Sequence, residues 1–195
     1  MNAKTAQKER SHSGILASAS RLVRQRGIAG ARVVDVMAGA GLTVGGFYAH
    51  FASKEALLEE TLASCSNLMR ERLFAKLDEK PAPDRALVAL KRYLSARHRD
   101  DLEAGCPLPA VVGEIGTTAH EYREAVADHV DEFAGALAAH VHGAPLPART
   151  MALGLIALMV GGLSLARATR GTPLSDEIIA ACRAFGARSL KEMHR

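Results

Sequence analysis

The sequence predicts an all-α protein of about nine helices. Apolar residues recur every three or four positions along most of the chain, and no segment shows the strict alternation of apolar and polar residues that marks a half-buried strand. Hydrophobic residues make up 48 % of the 195 residues, which is enough for a packed interior and excludes wholesale disorder. The fold class follows from these two observations together.

The first three predicted helices lie close together near the N-terminus. The first has an apolar face and ends at Gly27, because glycine commonly stops a helix. The residues of this face are Ile15, Leu16, Ala19, Leu22 and Val23. A short second helix begins near Val33 and is stopped by Gly41. Thr43 is placed to cap a third, very short helix, which runs to Phe51.

The remaining predicted helices carry most of the apolar residues. Ser53 caps a long fourth helix, which Pro81 closes. Further helices are predicted near Asp84, over 108–116, from Tyr122 to Val141, over 147–169 and from Pro173 onwards. The segment 147–169 is apolar almost all round, which predicts burial on more than one side. The inner face of the last helix is predicted to consist of Ile178, Cys182 and Phe185.

Positive charge is concentrated in the first quarter of the chain. Residues 1–55 hold eight Lys and Arg against three acidic residues, which gives this segment a net charge of +5. Because the net charge of the whole chain is +4, residues 56–195 together have a net charge of −1. A basic segment on a neutral body is typical of a protein that meets a polyanion. A solvated basic surface without a partner is the alternative that charge alone leaves open.

Cysteine usage and hydropathy favour a cytoplasmic protein. The three cysteines are widely spaced and the polar N-terminus shows no secretory signal, so structural disulfides are not expected. The longest uncharged run, Thr150–Ala166, has 17 residues and contains three glycines, which predicts a buried helix rather than a membrane span. His140 and His142 fall on different faces of a helix, so a metal site is not predicted. No cofactor is predicted either.

One segment, Val33 to Phe51, has the order of a helix-turn-helix. A helix, a turn of three or four residues with a glycine, and a second helix follow one another. Small side chains at Ala38 and Ala40 are expected to let the two helices cross closely. Leu42 and Phe47 are expected to fill the angle between them.

Three polar side chains of this segment are suited to phosphate. Thr43 leaves its hydroxyl at a helix N-terminus, where backbone N–H groups favour anions. Tyr48 points away from the core positions Phe47 and Phe51 and offers a phenolic donor, and His50 lies beside it. In a basic segment we expect these groups to contact phosphates. The alternative is that Tyr48 and His50 only border the core.

The sequence resembles the TetR family of bacterial regulators over residues 10–60. The matching residues are Ile15-Leu16-Ala17-x-Ala19, Gly27, Asp35-Val36, Ala40-Gly41-Leu42-Thr43, Gly46-Phe47-Tyr48-x-His50-Phe51 and Lys54-Glu55-x-Leu57. The resemblance implies a DNA-binding domain over 1–52 and a helical effector-binding and dimerisation domain over 53–195. It also implies a dimeric repressor that a small-molecule effector releases from a near-palindromic operator on double-stranded DNA.

The same resemblance implies which residues contact DNA. Phosphates are assigned to Thr43, Tyr48, His50 and Lys54, and base edges to Val44, Gly45 and Gly46. Ala31 departs from the family, which often has Thr or Ser at this position. Arg32 is expected to supply the missing contact and is predicted, with the three residues above, to contact base edges. Because the third helix is poor in side-chain donors, close backbone approach, contact with thymine methyl groups and DNA shape are expected to supply much of the specificity.

The rest of the chain is predicted to form a dimer and to hold an effector. Helices near 147–169 and 175–192 are more apolar than a monomer needs, which together with the resemblance predicts a two-fold, four-helix interface; an ordinary internal core is the alternative. The candidates for the effector pocket are Tyr93, Cys106, Phe133 and Met159. Plain core packing is the alternative for these residues as well.

Cys106 is open to more than one interpretation. It precedes Pro107 at a predicted helix start, near the basic Arg97 and Arg99, which is the setting of a redox or electrophile sensor. A small buried residue is the favoured alternative. A helical thiol enzyme that uses Cys106 explains neither the basic segment nor the helix-turn-helix. A non-specific nucleic-acid binder is the third class, although the shortage of aromatic residues argues against single strands.

Overall fold

The computed structural model describes residues 3–191 and contains nine α-helices and three short 3-10 helices, with no β-strand among those residues. The α-helices are α1 (Ala3–Gly30), α2 (Val33–Gly39), α3 (Lys54–Phe74), α4 (Arg85–Tyr93), α5 (Ala96–Asp100), α6 (Leu108–Thr117), α7 (Arg123–Ala138), α8 (Ala148–Ala168) and α9 (Pro173–Ser189). The 3-10 helices are Val44–Ala49, Ala82–Asp84 and His120–Tyr122. The predicted all-α fold is confirmed.

The chain divides into two compact units, each built from two stretches of sequence. Unit 1 comprises Met1–Leu68 and Leu102–Ala127, and unit 2 comprises Met69–Asp101 and Asp128–Arg195. The segment that contains α6 therefore belongs with the N-terminal helices, although more than thirty residues separate them in sequence. The functional division at residue 52 stays a prediction.

Unit 1 has an apolar core that holds the helix-turn-helix segment. α1 packs against both α2 and α6. The core consists mainly of Ile15, Ala19 and Val23 of α1, Val36 and Met37 of α2, Phe47, Phe51, Leu57 and Leu58 beyond it, and Val111 and Ile115 of α6. The predicted apolar face of the first helix is thus largely buried. Through this face α1 packs in the same core as the helix-turn-helix segment.

Glycines terminate or bring together the first helices. Gly27 adopts φ +72° and ψ −171°, so α1 breaks there as predicted and one further helical turn follows. Gly41 adopts φ +70° just after α2, also as predicted. The close approach of α1 and α2 occurs at Gly39, where an added Cβ would lie 2.3 Å from the Oγ of Ser18. This approach is separate from the crossing of the two helix-turn-helix helices that was predicted at Ala38 and Ala40, of which Ala38 is exposed and Ala40 is half-buried.

α3 ends at Phe74, seven residues before Pro81, so the predicted end of this helix was wrong. Lys76 adopts φ +56°, which takes the chain out of the helical path. The guanidinium of Arg92 on α4 donates to the carbonyl oxygens of Leu73 and Ala75 at 2.8 and 2.7 Å. These bonds satisfy carbonyl groups that the end of a helix leaves without an internal partner.

α8 and α9 pack closely against each other in unit 2. At Gly162 an added Cβ would lie 2.7 Å from the Sγ of Cys182. Gly154 and Gly161, which the same helix carries, have open space at the Cβ position. Phe185 is 67 % exposed, so its predicted inward orientation was wrong. The reason is that Gly186, its neighbour, packs against Leu90 and Leu158 and thereby turns Phe185 outwards.

α8 is the one helix within residues 3–191 that is long and apolar enough to cross a membrane. Of its most apolar 18-residue window, 44 % is buried inside the protein. Core helices of soluble proteins have the same length and composition, so this property alone does not define a membrane span.

His129 of α7 is buried in unit 2 beside aromatic rings. It is 8 % exposed, and its ring stacks on that of Phe133 at 6.4 Å between centroids. Burial, helped by the positive charge of Arg70 and opposed by Glu132, lowers the pKa of His129 to about 4. The imidazole is therefore neutral in the folded protein near pH 7.

Acidification is expected to destabilise unit 2 through His129. The unfolded chain binds a proton at this residue near its ordinary pKa of about 6.5, whereas the folded chain binds it only near 4, so stability is lost as the pH falls through this interval. We expect His129→Phe to abolish about 2 kcal/mol of the difference in unfolding free energy between pH 7 and pH 5. Urea unfolding at both pH values measures this, and His142→Phe, at an exposed position, is the control. An unchanged pH dependence in His129→Phe would contradict it.

Candidate nucleic-acid interface

The helix-turn-helix consists of α2, a turn at residues 40–43 and the 3-10 helix Val44–Ala49, called here the short helix. In the turn, the N–H of Leu42 donates to the carbonyl oxygen of Met37 at 2.9 Å. Thr43 is the N-cap residue of the short helix, but its side chain makes no cap hydrogen bond and is exposed. The predicted side-chain cap by Thr43 is therefore not formed, and its hydroxyl remains exposed to solvent.

Phe47 anchors the short helix in unit 1. It is 2 % exposed, and its ring stacks on Phe51 at 5.9 Å and meets the ring of Tyr48 edge-on at 5.2 Å. Tyr48 itself is 77 % exposed. The predicted assignment of Phe47 and Phe51 to the core is confirmed by their burial, and the phenol of Tyr48 is left facing solvent.

One edge of the short helix is open to solvent and carries most of the predicted DNA contacts. Thr43, Val44, Gly45 and Tyr48 are exposed, whereas Gly46, His50 and Lys54 are half-buried. Val44 is 47 % exposed and Tyr48 is 77 % exposed, so both an apolar and an aromatic side chain of this edge face solvent. The structure therefore brings the predicted phosphate and base contacts together along a single short stretch of unit 1.

Arg32 lies at the N-terminus of α2 and is already paired. Its guanidinium donates to both carboxylate oxygens of Asp35, at 2.6 and 3.2 Å, and hydrogen bonding with that carboxylate raises the pKa of Arg32. The side chain is 69 % exposed, so the pair is accessible. Ala31, next to it, is fully buried and packs in the core, and Arg32 itself occupies the N-cap position of α2 without a side-chain cap hydrogen bond.

A second imidazole, His12 of α1, lies beside the motif and was not found from the sequence. Its Nε2 is 2.7 Å from the Oε1 of Glu60, its ring stacks on Phe51 at 4.6 Å, and its centroid is 6.0 Å from that of His50. Burial, followed by the charges of His12 and Lys8, lowers the pKa of His50. A neutral His50 can still donate one hydrogen bond to a phosphate.

The residues predicted for the effector pocket are all buried but do not share one unit. Tyr93, Phe133 and Met159 lie in unit 2, where the Tyr93 and Phe133 rings stack at 6.4 Å between centroids. Cys106 belongs to unit 1 and is 1 % exposed, which favours the interpretation as a small buried residue just before α6. The three pocket candidates of unit 2 stay a prediction.

The all-helical fold and the exposed edge of the short helix together define the class of helix-turn-helix DNA-binding proteins. The chain belongs to the TetR family. The family model for the bacterial regulatory proteins of the tetR family matches residues 15–61, and the model for the tetracyclin repressor-like C-terminal domain matches residues 82–182. The resemblance found in the sequence is confirmed, and the chain is a DNA-binding transcriptional regulator rather than an enzyme.

Solved structures of TetR-family proteins share the fold of this chain. A TetR transcriptional regulator from Chloroflexus aurantiacus is 26 % identical, with a TM-score of 0.77 over 92 % of this chain and 96 % of that one. A TetR-family regulator from Cytophaga hutchinsonii is 20 % identical, with a TM-score of 0.76 over 97 % and 98 %. AibR in complex with isovaleryl coenzyme A and operator DNA is 17 % identical, with a TM-score of 0.62 over 90 % and 97 %. A search of curated proteins found no match.

Proposed function

We propose that this protein is a dimeric, cytoplasmic repressor that binds a near-palindromic operator and leaves it when a small-molecule effector binds. The observation that carries the proposal is the exposed edge of the short helix, with Val44 and Tyr48 facing solvent beside a buried anchor, Phe47. In this arrangement the fold is maintained by one face of the short helix and the other face is available to DNA.

Base recognition is proposed to rely on small and apolar groups. Gly45 has open space at its Cβ position and Val44 offers methyl groups, so the backbone can approach the base edges closely and thymine methyl groups can be contacted. Arg32 is held by Asp35, which makes it a weaker base-contacting residue than an unpaired arginine. DNA shape and deformability then supply specificity that these side chains do not.

The dimer is proposed to form through the outer faces of α8 and α9. Each helix presents large apolar side chains to solvent within unit 2: Leu153 and Leu165 on α8, and Leu174 and Phe185 on α9, between 39 % and 67 % exposed. Gly154 and Gly161 leave open space on the same part of α8, which suits the close packing of helices. The predicted second helix of this interface ran to residue 192, which lies outside the described residues.

The effector is proposed to bind in unit 2, near the stacked rings of Tyr93 and Phe133 and the buried Met159. These side chains suit an apolar or aromatic ligand. The structure of AibR contains both isovaleryl coenzyme A and operator DNA, which supports the proposal that a protein of this fold can bind a small molecule as well as DNA.

A binding titration tests the proposal. Purified protein is titrated on labelled DNA from upstream of its own gene, with excess unrelated duplex, at two salt concentrations. We expect tight binding that resists the competitor and weakens steeply with salt. Tyr48→Phe, which removes only the exposed hydroxyl, is expected to weaken binding about tenfold without a change in thermal stability. Equal affinity for both duplexes in the wild type would contradict the proposal.

A further inference from the structure

The break of α1 at Gly27 is occupied by a carboxylate from α6. The N–H of Ile28 donates to Oε1 of Glu114 at 3.0 Å, and the N–H of Ala29 donates to Oε2 at 2.8 Å. Both carboxylate oxygens are thus used on two consecutive backbone amides, all within unit 1. No local sequence signal connects residues that lie 85 and 86 positions apart.

This contact satisfies groups that would otherwise lack partners. The helical turn that follows Gly27 begins anew, so its first N–H groups have no carbonyl behind them. A carboxylate is well suited to this position because such amides carry partial positive charge. Conversely, Glu114 lies in the last turn of α6, where the dipole of its own helix opposes a negative charge. The placement of an acid there is explained by its contact with α1 and not by the stability of α6.

Gly27 and Glu114 depend on each other sterically. An added Cβ at Gly27 would lie 1.7 Å from Oε1 of Glu114 and 2.9 Å from its Cδ. The carboxylate therefore fills the space that glycine leaves. A second link lies one turn earlier, where the buried Arg24 donates to the carbonyl oxygens of Glu103 and Gly105 at 2.8 and 2.7 Å. Two side chains of opposite charge thus connect α1 to the segment 103–114.

The clamped turn leads directly into the DNA-binding motif. Only Ala31 and Arg32 separate it from α2, and Ala31 is fully buried, so little freedom remains between the carboxylate and the start of α2. α2 in turn packs, through Val36 and Met37, in the same core as Phe47 of the short helix. We infer that Glu114 is a positioning residue for DNA recognition: its carboxylate sets the direction in which the chain enters α2, and so the orientation of the short helix.

The sign of the effect on DNA binding separates positioning from simple electrostatics. Glu114 is negative, so its neutralisation would by charge alone favour a polyanion. Positioning predicts the opposite. Glu114→Gln leaves one carbonyl acceptor for two N–H donors and turns an NH2 group toward them, so the turn is released.

The experiment compares Glu114→Gln and Glu114→Asp with Glu121→Gln, which removes the same charge from an exposed position of unit 1. Affinity for operator and for unrelated duplex is measured at two salt concentrations, and hydrogen exchange of the Ile28 and Ala29 amides is followed by NMR. We expect Glu114→Gln to bind operator about tenfold more weakly, and Glu121→Gln to bind as tightly as the wild type or more so. Glu114→Asp keeps the charge but has a shorter side chain, and it is expected to lose affinity as well.

The amide exchange keeps the inference testable apart from the proposed function. Faster exchange at Ile28 and Ala29 in Glu114→Gln, with the thermal transition retained and affinity for DNA reduced, would support positioning. Unchanged exchange at these amides, or DNA affinity equal to that of Glu121→Gln, would overturn it. If the wild type itself showed no preference for operator, the repressor proposal would fail, while exchange and affinity for unrelated duplex would still decide the role of Glu114.

Discussion

Replacing Phe185 by aspartate is expected to yield a monomer that binds operator about a hundredfold more weakly than the wild type. Phe185 is 67 % exposed on the face of α9 that the proposed dimer would cover. A carboxylate buried there without a partner opposes association. The single chain is expected to stay folded, because the side chain contributes little to its interior. Since two linked half-site contacts bind far more tightly than one, loss of the dimer appears as lost affinity.

Sedimentation measures the oligomeric state of the variant, and the operator titration measures its affinity for DNA on the same sample. Leu146→Asp is a matched control, because Leu146 is 51 % exposed but lies before α8, outside the proposed interface. The control is expected to keep both the dimer and its affinity. If Phe185→Asp remained dimeric and kept full affinity, the proposed interface on this face of α9 would be contradicted.

Gly27→Ala is expected to lower the free energy of unfolding by about 3 kcal/mol and to reduce DNA affinity as well. Alanine at φ +72° is strained, and its Cβ would collide with the carboxylate of Glu114. Relief of the collision requires Glu114 to withdraw, which releases the amides of Ile28 and Ala29. Denaturant unfolding and the operator titration measure the two effects.

A control variant and a double variant test this explanation. Gly14→Ala lies in α1 with open space at its Cβ position, so it is expected to stabilise the protein by up to about 1 kcal/mol. The double variant Gly27→Ala with Glu114→Ala removes the collision but keeps the strained backbone, so it should be less unstable than the sum of the single variants. Strict additivity would show that the two residues do not depend on each other.

Local signals were enough to place most helix boundaries of unit 1. Gly27 and Gly41 mark breaks because their conformations favour glycine, and each is found with positive φ. Ser53 caps α3 as predicted, since its Oγ accepts the N–H of Ala56 at 3.2 Å. Burial of Phe47 and exposure of Tyr48 followed from their spacing on a short helix. In each case the determining interactions lie within a few residues of one another.

Features set by distant residues were not predictable in this way. The carbonyl oxygens of Leu73 and Ala75 at the end of α3 find their partner in Arg92, a residue of another helix. The outward turn of Phe185 depends on how Gly186 meets Leu90, which periodicity within α9 does not contain. The contacts of Glu114 with α1 belong to the same class. A single sequence records the residue types of such partners but not their pairing.

In the short helix, the residues that stabilise the fold lie on a different face from those proposed to recognise DNA. A 3-10 helix has three residues per turn, so Gly45 lies in line with Tyr48 on the edge proposed to meet DNA. A Cβ added at Gly45 would enter open space, with no atom within 4 Å other than those of its chain neighbours and its own helical backbone. One codon can therefore add a new group to this edge while the core around Phe47 stays intact. After a gene duplication, two copies of this regulator could diverge in the sites they recognise long before their folds differ.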